Sequence, residues 1–75
     1  MADKILDASG LNCPLPVLKT KKALSSLSAG QHLEVIATDP GSKTDMFVFT
    51  EATGNRMVES REEGGKFIYV IEKAS

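Results

Sequence analysis

Two prolines separated by a single residue, Pro14 and Pro16, constrain the chain more than any other feature. Neither has a backbone N–H, and both hold φ near −65°, a combination an α-helix tolerates only in its first turn. A helix is therefore predicted to begin at Pro14. At about 100° per residue, Val17, Thr20, Ala23, Leu24 and Leu27 gather on one side of it, with Lys19, Lys21, Lys22, Ser25 and Ser26 elsewhere. Leu15 and Leu18 fall outside that apolar stripe, near Lys19 and Lys22. The residue just before the first proline is Cys13, which this reading puts at the N-cap.

The rest of the chain reads around that helix. Lys4 to Ala8 is a short strand stopped by Ser9-Gly10. Ser28-Ala29-Gly30 closes the helix, with Gly30 as a left-handed cap. From Gln31 to Thr38 the residues alternate, Leu33, Val35 and Ala37 on one face and His32, Glu34 and Ile36 on the other, which predicts a second strand. Asp39-Pro40-Gly41-Ser42 is turn chemistry, and Ser42-Lys43-Thr44-Asp45 has capping-box spacing with Asp in place of Glu, so a second helix is expected to about Thr53. Met46-Phe47-Val48-Phe49 fits a strand equally well on β-propensity, and the helix rests on the cap and on Gly54-Asn55 as a stop. Arg56 to Glu63 and Lys66 to Lys73 are two strands joined at Gly64-Gly65, a pair suited to a primed hairpin turn. The order β-α-β-α-β-β predicts an α+β fold: a two-layer sandwich, both helices on one face of a four-stranded mixed sheet. If the first two strands are parallel, their C-terminal ends and both helix N-termini share an edge, which makes Cys13 and Asp39 neighbours. Residues 1–75 are expected to form one domain, because a chain this short has surface enough for only one small core.

Composition narrows the function. Nine Lys+Arg against ten Asp+Glu leave a formal charge of −1, without the global field that draws in phosphate backbones, so direct nucleic-acid binding is not expected. The longest apolar runs, such as Ile68-Tyr69-Val70-Ile71, fall far short of the roughly 20 residues a membrane helix needs, so no membrane partner is expected either. The start Met1-Ala2-Asp3-Lys4 lacks a basic-then-apolar secretory pattern, which points to the reducing cytoplasm. Cys13 is the only cysteine and His32 the only histidine, so an internal disulfide and a Cys/His zinc site are both excluded. His32 starts the second strand, at the end opposite Cys13, and is left out of the site.

A cysteine at a helix start is an unusual N-cap, since Ser, Thr, Asp and Asn normally hold that position. The positive end of the helix dipole lowers a thiol pKa from its free value of about 8.5 and favours the nucleophilic thiolate. The prolines hold the first turn rigid beneath it. Cys13 is thus the candidate catalytic residue, with Pro14 and Pro16 as its helix-start motif.

The segment Leu6-Asp7-Ala8-Ser9-Gly10-Leu11-Asn12-Cys13-Pro14-Leu15-Pro16 resembles the signature of the TusA/SirA-like sulfur-carrier family, marked by Cys-Pro-x-Pro opening the first helix. Lys19 to Leu24, Ala37-Thr38-Asp39-Pro40-Gly41-Ser42, Asp45 and the terminal hairpin extend the resemblance over essentially the whole chain. It implies a fold similar to the C-terminal domain of bacterial translation initiation factor three. It also implies a sulfurtransferase: Cys13 takes a sulfane sulfur as a persulfide from a cysteine desulfurase or rhodanese-like protein. The sulfur then passes to an acceptor protein in a relay for tRNA thiolation, sulfur oxidation or cofactor synthesis, and no metal or cofactor is required. With no second cysteine, Cys13 cannot discharge its cargo by closing an internal disulfide, which suits a carrier. Asn12, Leu15, Lys19, Lys22 and Asp39 are candidate contacts for donor and acceptor. One departure stands out, since Asp45-Met46-Phe47 replaces the Asp-Ile-Pro many such proteins carry. The rival readings are a non-catalytic regulatory or adaptor module on the same scaffold, RNA binding, and a thiol peroxidase or redox sensor.

Overall fold

The computed structural model describes residues 3–12 and 14–74. Its elements are β1 (Lys4–Ala8), α1 (Leu15–Ser25), β2 (His32–Ala37), α2 (Ser42–Thr53), β3 (Arg56–Glu63) and β4 (Lys66–Glu72). The four strands form one sheet in the order β1-β2-β4-β3, with β1 and β2 parallel and the other pairs antiparallel. This is the expected α+β architecture. The hairpin turn follows from its glycines, because Gly64 and Gly65 both take positive φ, +55° and +81°, the requirement of a primed two-residue loop.

Alternation decides which face of the sheet is covered. Leu33, Val35 and Ala37 of β2 and Tyr69 and Ile71 of β4 are buried beneath the helices, joined by Ala8 from β1. The helices close the core with Ala23 and Leu24 of α1 and Met46 and Phe49 of α2. The opposite face has no covering layer among the described residues, and there Ile5 is 63% exposed. Across the sheet, β1 and β3 are the edges. β3 bends at Val58, the extra residue of a bulge between Met57 and Glu59, and pairs Arg61 with Glu59 and Glu63 on its surface.

Three expected details differ. The predicted start of α1 moves by one residue: Pro14, not Cys13, is the N-cap, its carbonyl accepting the Leu18 N–H at 3.1 Å, and Leu15 is the first helical residue. Pro16 follows at the second position, buried, where its missing N–H leaves no orphan. Gly30 is left-handed at φ +86° but does not cap α1, which ends at Ser25 in tighter bonds from Ser26 to Ala23 O and Leu27 to Leu24 O. Instead Gly30 turns the chain into β2 and donates its N–H to Lys73 O. Lys73 in turn holds the end of α1, its Nζ donating to Leu24 O at 2.6 Å, where a cation suits the helix dipole.

The third difference concerns Ser42. Its spacing to Asp45 predicts a capping box, yet Gly41 is the N-cap and no side chain caps α2. Ser42 is buried and its hydroxyl lies 2.8 Å from the hydroxyl of Tyr69. The phenol crosses the core from β4 with an oxygen that burial would otherwise leave unpaired, and the serine satisfies it. Burial raises the Tyr69 pKa above its ordinary value, with a smaller push from Asp39, Asp45 and Glu62, while the bond to Ser42 opposes the shift.

A phenol that holds its proton more tightly when folded stabilises the protein fully below its unfolded pKa of about 10 and loses that contribution as pH rises further. Stability in denaturant titrations is therefore expected to fall more steeply above pH 10 for the natural protein than for Tyr69→Phe. At neutral pH the same variant should be less stable by about 1–2 kcal/mol, because it strands the Ser42 hydroxyl.

Candidate functional site

The site grows from the loop that leaves β1. Asp7 accepts the Ser9 N–H at 3.0 Å, and Leu11 N–H reaches back to Ala8 O, so the chain reverses tightly at Gly10 with φ +80°. Hydrogen bonding to Ser9, through its side chain first and its backbone N–H second, holds the Asp7 carboxyl below its usual value. Gly10 N–H then crosses to Thr38 Oγ1 at 2.8 Å, tying the loop after β1 to the end of β2. This bond brings together the two C-terminal strand ends that the parallel pairing was expected to align. Asn12, exposed, accepts the Leu15 N–H on its carbonyl at 2.8 Å and so sets the approach to α1.

Cys13 itself lies outside the described residues, as does its predicted juxtaposition with Asp39. What is described is the helix start beside it. Pro14 and Pro16 offer no N–H, and Leu15 has spent its own on Asn12 O. Val17 is thus the remaining first-turn amide, since the prolines remove N–H groups that a helix start ordinarily leaves unpaired. The helix dipole persists, because it sums over the whole of α1. The first turn is fixed from below: Thr20 Oγ1 donates to Pro16 O at 2.7 Å and lies 3.7 Å from Met46 Sδ of α2.

The candidate partner contacts fall into separate places. Leu15, Leu18, Lys19 and Lys22 follow the i, i+3, i+4, i+7 spacing of one helical stripe, with Leu15 and Leu18 43% and 54% exposed. The stripe is apolar at its first turn and basic beyond it. Asp39 sits in the turn before α2, where Oδ1 accepts the Gly41 N–H at 3.1 Å and its carbonyl accepts the Ser42 N–H at 2.9 Å. It builds the turn, as Asp before Pro-Gly commonly does. On the other side of α1 from the basic stripe, a groove of about 300 Å³ runs between the helices, lined by Pro14, Val17, Asp45, Val48, Phe49 and Ala52.

Sequence reasoning did not find this groove. Its signal was present, since Asp45, Val48, Phe49 and Ala52 also follow i, i+3, i+4, i+7 spacing, but the stripe gains meaning only when Val17 and Pro14 face it. Val48 is 58% exposed at its rim. The groove thus brings an apolar wall of α2 to the opening turn of α1.

Thr38→Val removes the cross-loop bond at nearly constant shape. It is expected to cost about 1 kcal/mol and to speed hydrogen exchange at the Gly10 amide. Amide exchange read by NMR checks both.

Comparisons with known proteins converge on one family. The family described as "Sulfurtransferase TusA" matches residues 4–73. The chain is 60% identical over 72 residues to the sulfur carrier protein TusA of Allochromatium vinosum, covering 96% of this chain and 95% of that one. It is 45% identical over 71 residues to the sulfur carrier protein TusA of Pseudomonas aeruginosa, covering 95% and 90%. A crystal structure of a SirA-like protein from Desulfitobacterium hafniense superposes with a TM-score of 0.83 at 28% identity, covering 96% of this chain and 99% of that one.

Proposed function

Because the chain belongs to the TusA sulfurtransferase family, we propose that it carries sulfur as a persulfide on Cys13 between a donor and an acceptor protein. One observation carries the reading: the only thiol of the sequence immediately precedes a proline-locked helix start, beside exposed leucines. The Cys13 thiolate attacks the terminal sulfur of a donor Cys–S–SH. The donor's S–S bond breaks, the donor cysteine leaves as a thiolate that takes up the proton, and a new persulfide stands on Cys13. An acceptor thiolate repeats the step and returns Cys13 to the thiolate form. No electrons are gained or lost overall, so the relay needs no oxidant.

The positive end of the α1 dipole supports the anionic forms of Cys13. The stripe of Leu15, Leu18, Lys19 and Lys22 supports docking of a partner whose surface is apolar beside the reactive cysteine and acidic farther out. Asn12 and Asp39 contribute by shaping the two loops that flank the motif, Asn12 through its carbonyl and Asp39 through its turn. The donor class that fits is a cysteine desulfurase or rhodanese-like protein, and the acceptor is a protein thiol of a sulfur relay.

Intact mass after incubation with a cysteine desulfurase and cysteine should rise by about 32 Da, one sulfur atom, reversibly with reductant and not in Cys13→Ser. If the folded, reduced protein gains no sulfur from a desulfurase, or from a rhodanese with thiosulfate, the adaptor reading replaces this one. Leu18→Asp should load more slowly, with kcat/KM for sulfur transfer down about tenfold, as for loss of a central docking contact, and kcat nearly preserved.

A further inference from the structure

The free edge of β1 differs from the other edge of the sheet. β3 is bulged and carries its own ion pairs along the surface, two devices that discourage strand addition. β1 has neither: its register to β2 runs unbroken from Lys4 to Ala8, it contains no proline, and it is paired on one side only. The outward backbone groups of such a strand are a template for another strand.

What lies beside that edge selects the occupant. Lys4, Leu6 and Ala8 point to the helix side, where they pair with Leu33, Val35 and Ala37. Between β1 and α1 runs a groove of about 350 Å³ whose floor is Leu6 and Ala23 and whose walls include Lys4, Lys19, Lys22 and Ser26. Lys4 Nζ donates to Ser26 Oγ at 3.0 Å, and among the described residues none of the three lysines has a carboxylate partner. A strand added beyond β1 would place every second side chain in this groove. A second copy pairing antiparallel through its own β1 would set Lys4 opposite Ala8 and bring no carboxylate to the groove lysines, so charge complementarity favours an acidic segment over self-pairing.

We propose that the β1 edge binds an extended acidic segment of a partner protein by strand addition, its backbone pairing with Lys4–Ala8 and alternate carboxylates meeting Lys4, Lys19 and Lys22. The edge supplies affinity through main-chain bonds, and the lysine-walled groove supplies selectivity. The proposal does not depend on sulfur chemistry, so it is tested equally in Cys13→Ser.

The probe is a seven-residue peptide alternating glutamate with threonine, blocked at both ends, titrated into ¹⁵N-labelled protein. Saturable shifts are expected at the amides of Lys4–Ala8 and of Lys19 and Lys22, with slowed exchange of the outward β1 amides. The pair Lys19→Glu and Lys22→Glu, on an exposed helix face, should weaken binding at least about tenfold, and the corresponding Gln pair less. Lysine in place of glutamate in the peptide should abolish binding. The proposal is overturned if a peptide of equal charge with proline in place of threonine binds equally well, since that ligand cannot pair as a strand. Shifts that map away from β1, no binding at millimolar peptide, or concentration-dependent shifts of β1 without peptide, the mark of self-pairing, would overturn it too.

Discussion

Parallel pairing of β1 with β2 is the constraint from which the rest follows. Parallel neighbours cannot be joined by a tight turn, so the chain must cross over, and α1 is that crossover, laid on one face of the sheet. The same pairing sets both strands' C-terminal ends side by side. The Gly10 to Thr38 bond is its local expression, and it ties the loop that leaves β1 to the end of β2, just before the turn that opens α2. An antiparallel β1 would have put the motif at the other end of the molecule.

From that arrangement the chemistry and the packing divide by layer. Pro14 and Leu15 stand exposed where α1 opens beyond the ends of β1 and β2, while Pro16 is buried beneath them. The proline pair contributes order rather than donors: it removes two N–H groups from the helix start and leaves the dipole as the principal source of positive potential. Rigidity beneath the motif comes from packing, with Thr20 bonded to Pro16 O and set against Met46. The missing proline of the Asp45-Met46-Phe47 run leaves an unbroken α2, whose Val48 and Ala52 form the apolar wall opposite Val17.

Much of this was legible residue by residue. Gly54 stops α2 in a left-handed conformation, Gly64-Gly65 turns the hairpin, and the alternation of Leu33, Val35 and Ala37 marks the buried face of β2. These signals are local, because a positive φ or a period of two depends on a few neighbouring residues. The capping box at Ser42 misled for the complementary reason. Its spacing is local, but a buried phenol 27 residues away claims the hydroxyl, and an unpaired buried oxygen costs more than an uncapped helix end open to water.

The sequence by itself therefore determined the elements, their order, the lone thiol and the proline-locked helix start, since each is written in covalent geometry and short-range periodicity. Only the tertiary structure decided which partners those elements take. The sheet order β1-β2-β4-β3 leaves β1 as a plain edge and β3 as a bulged one, sets Lys4 of one element beside Lys19 and Lys22 of another, and turns an α2 stripe toward Pro14. Those juxtapositions join residues far apart in the chain. They arise when apolar faces find one another across the core, a choice that no single segment carries alone.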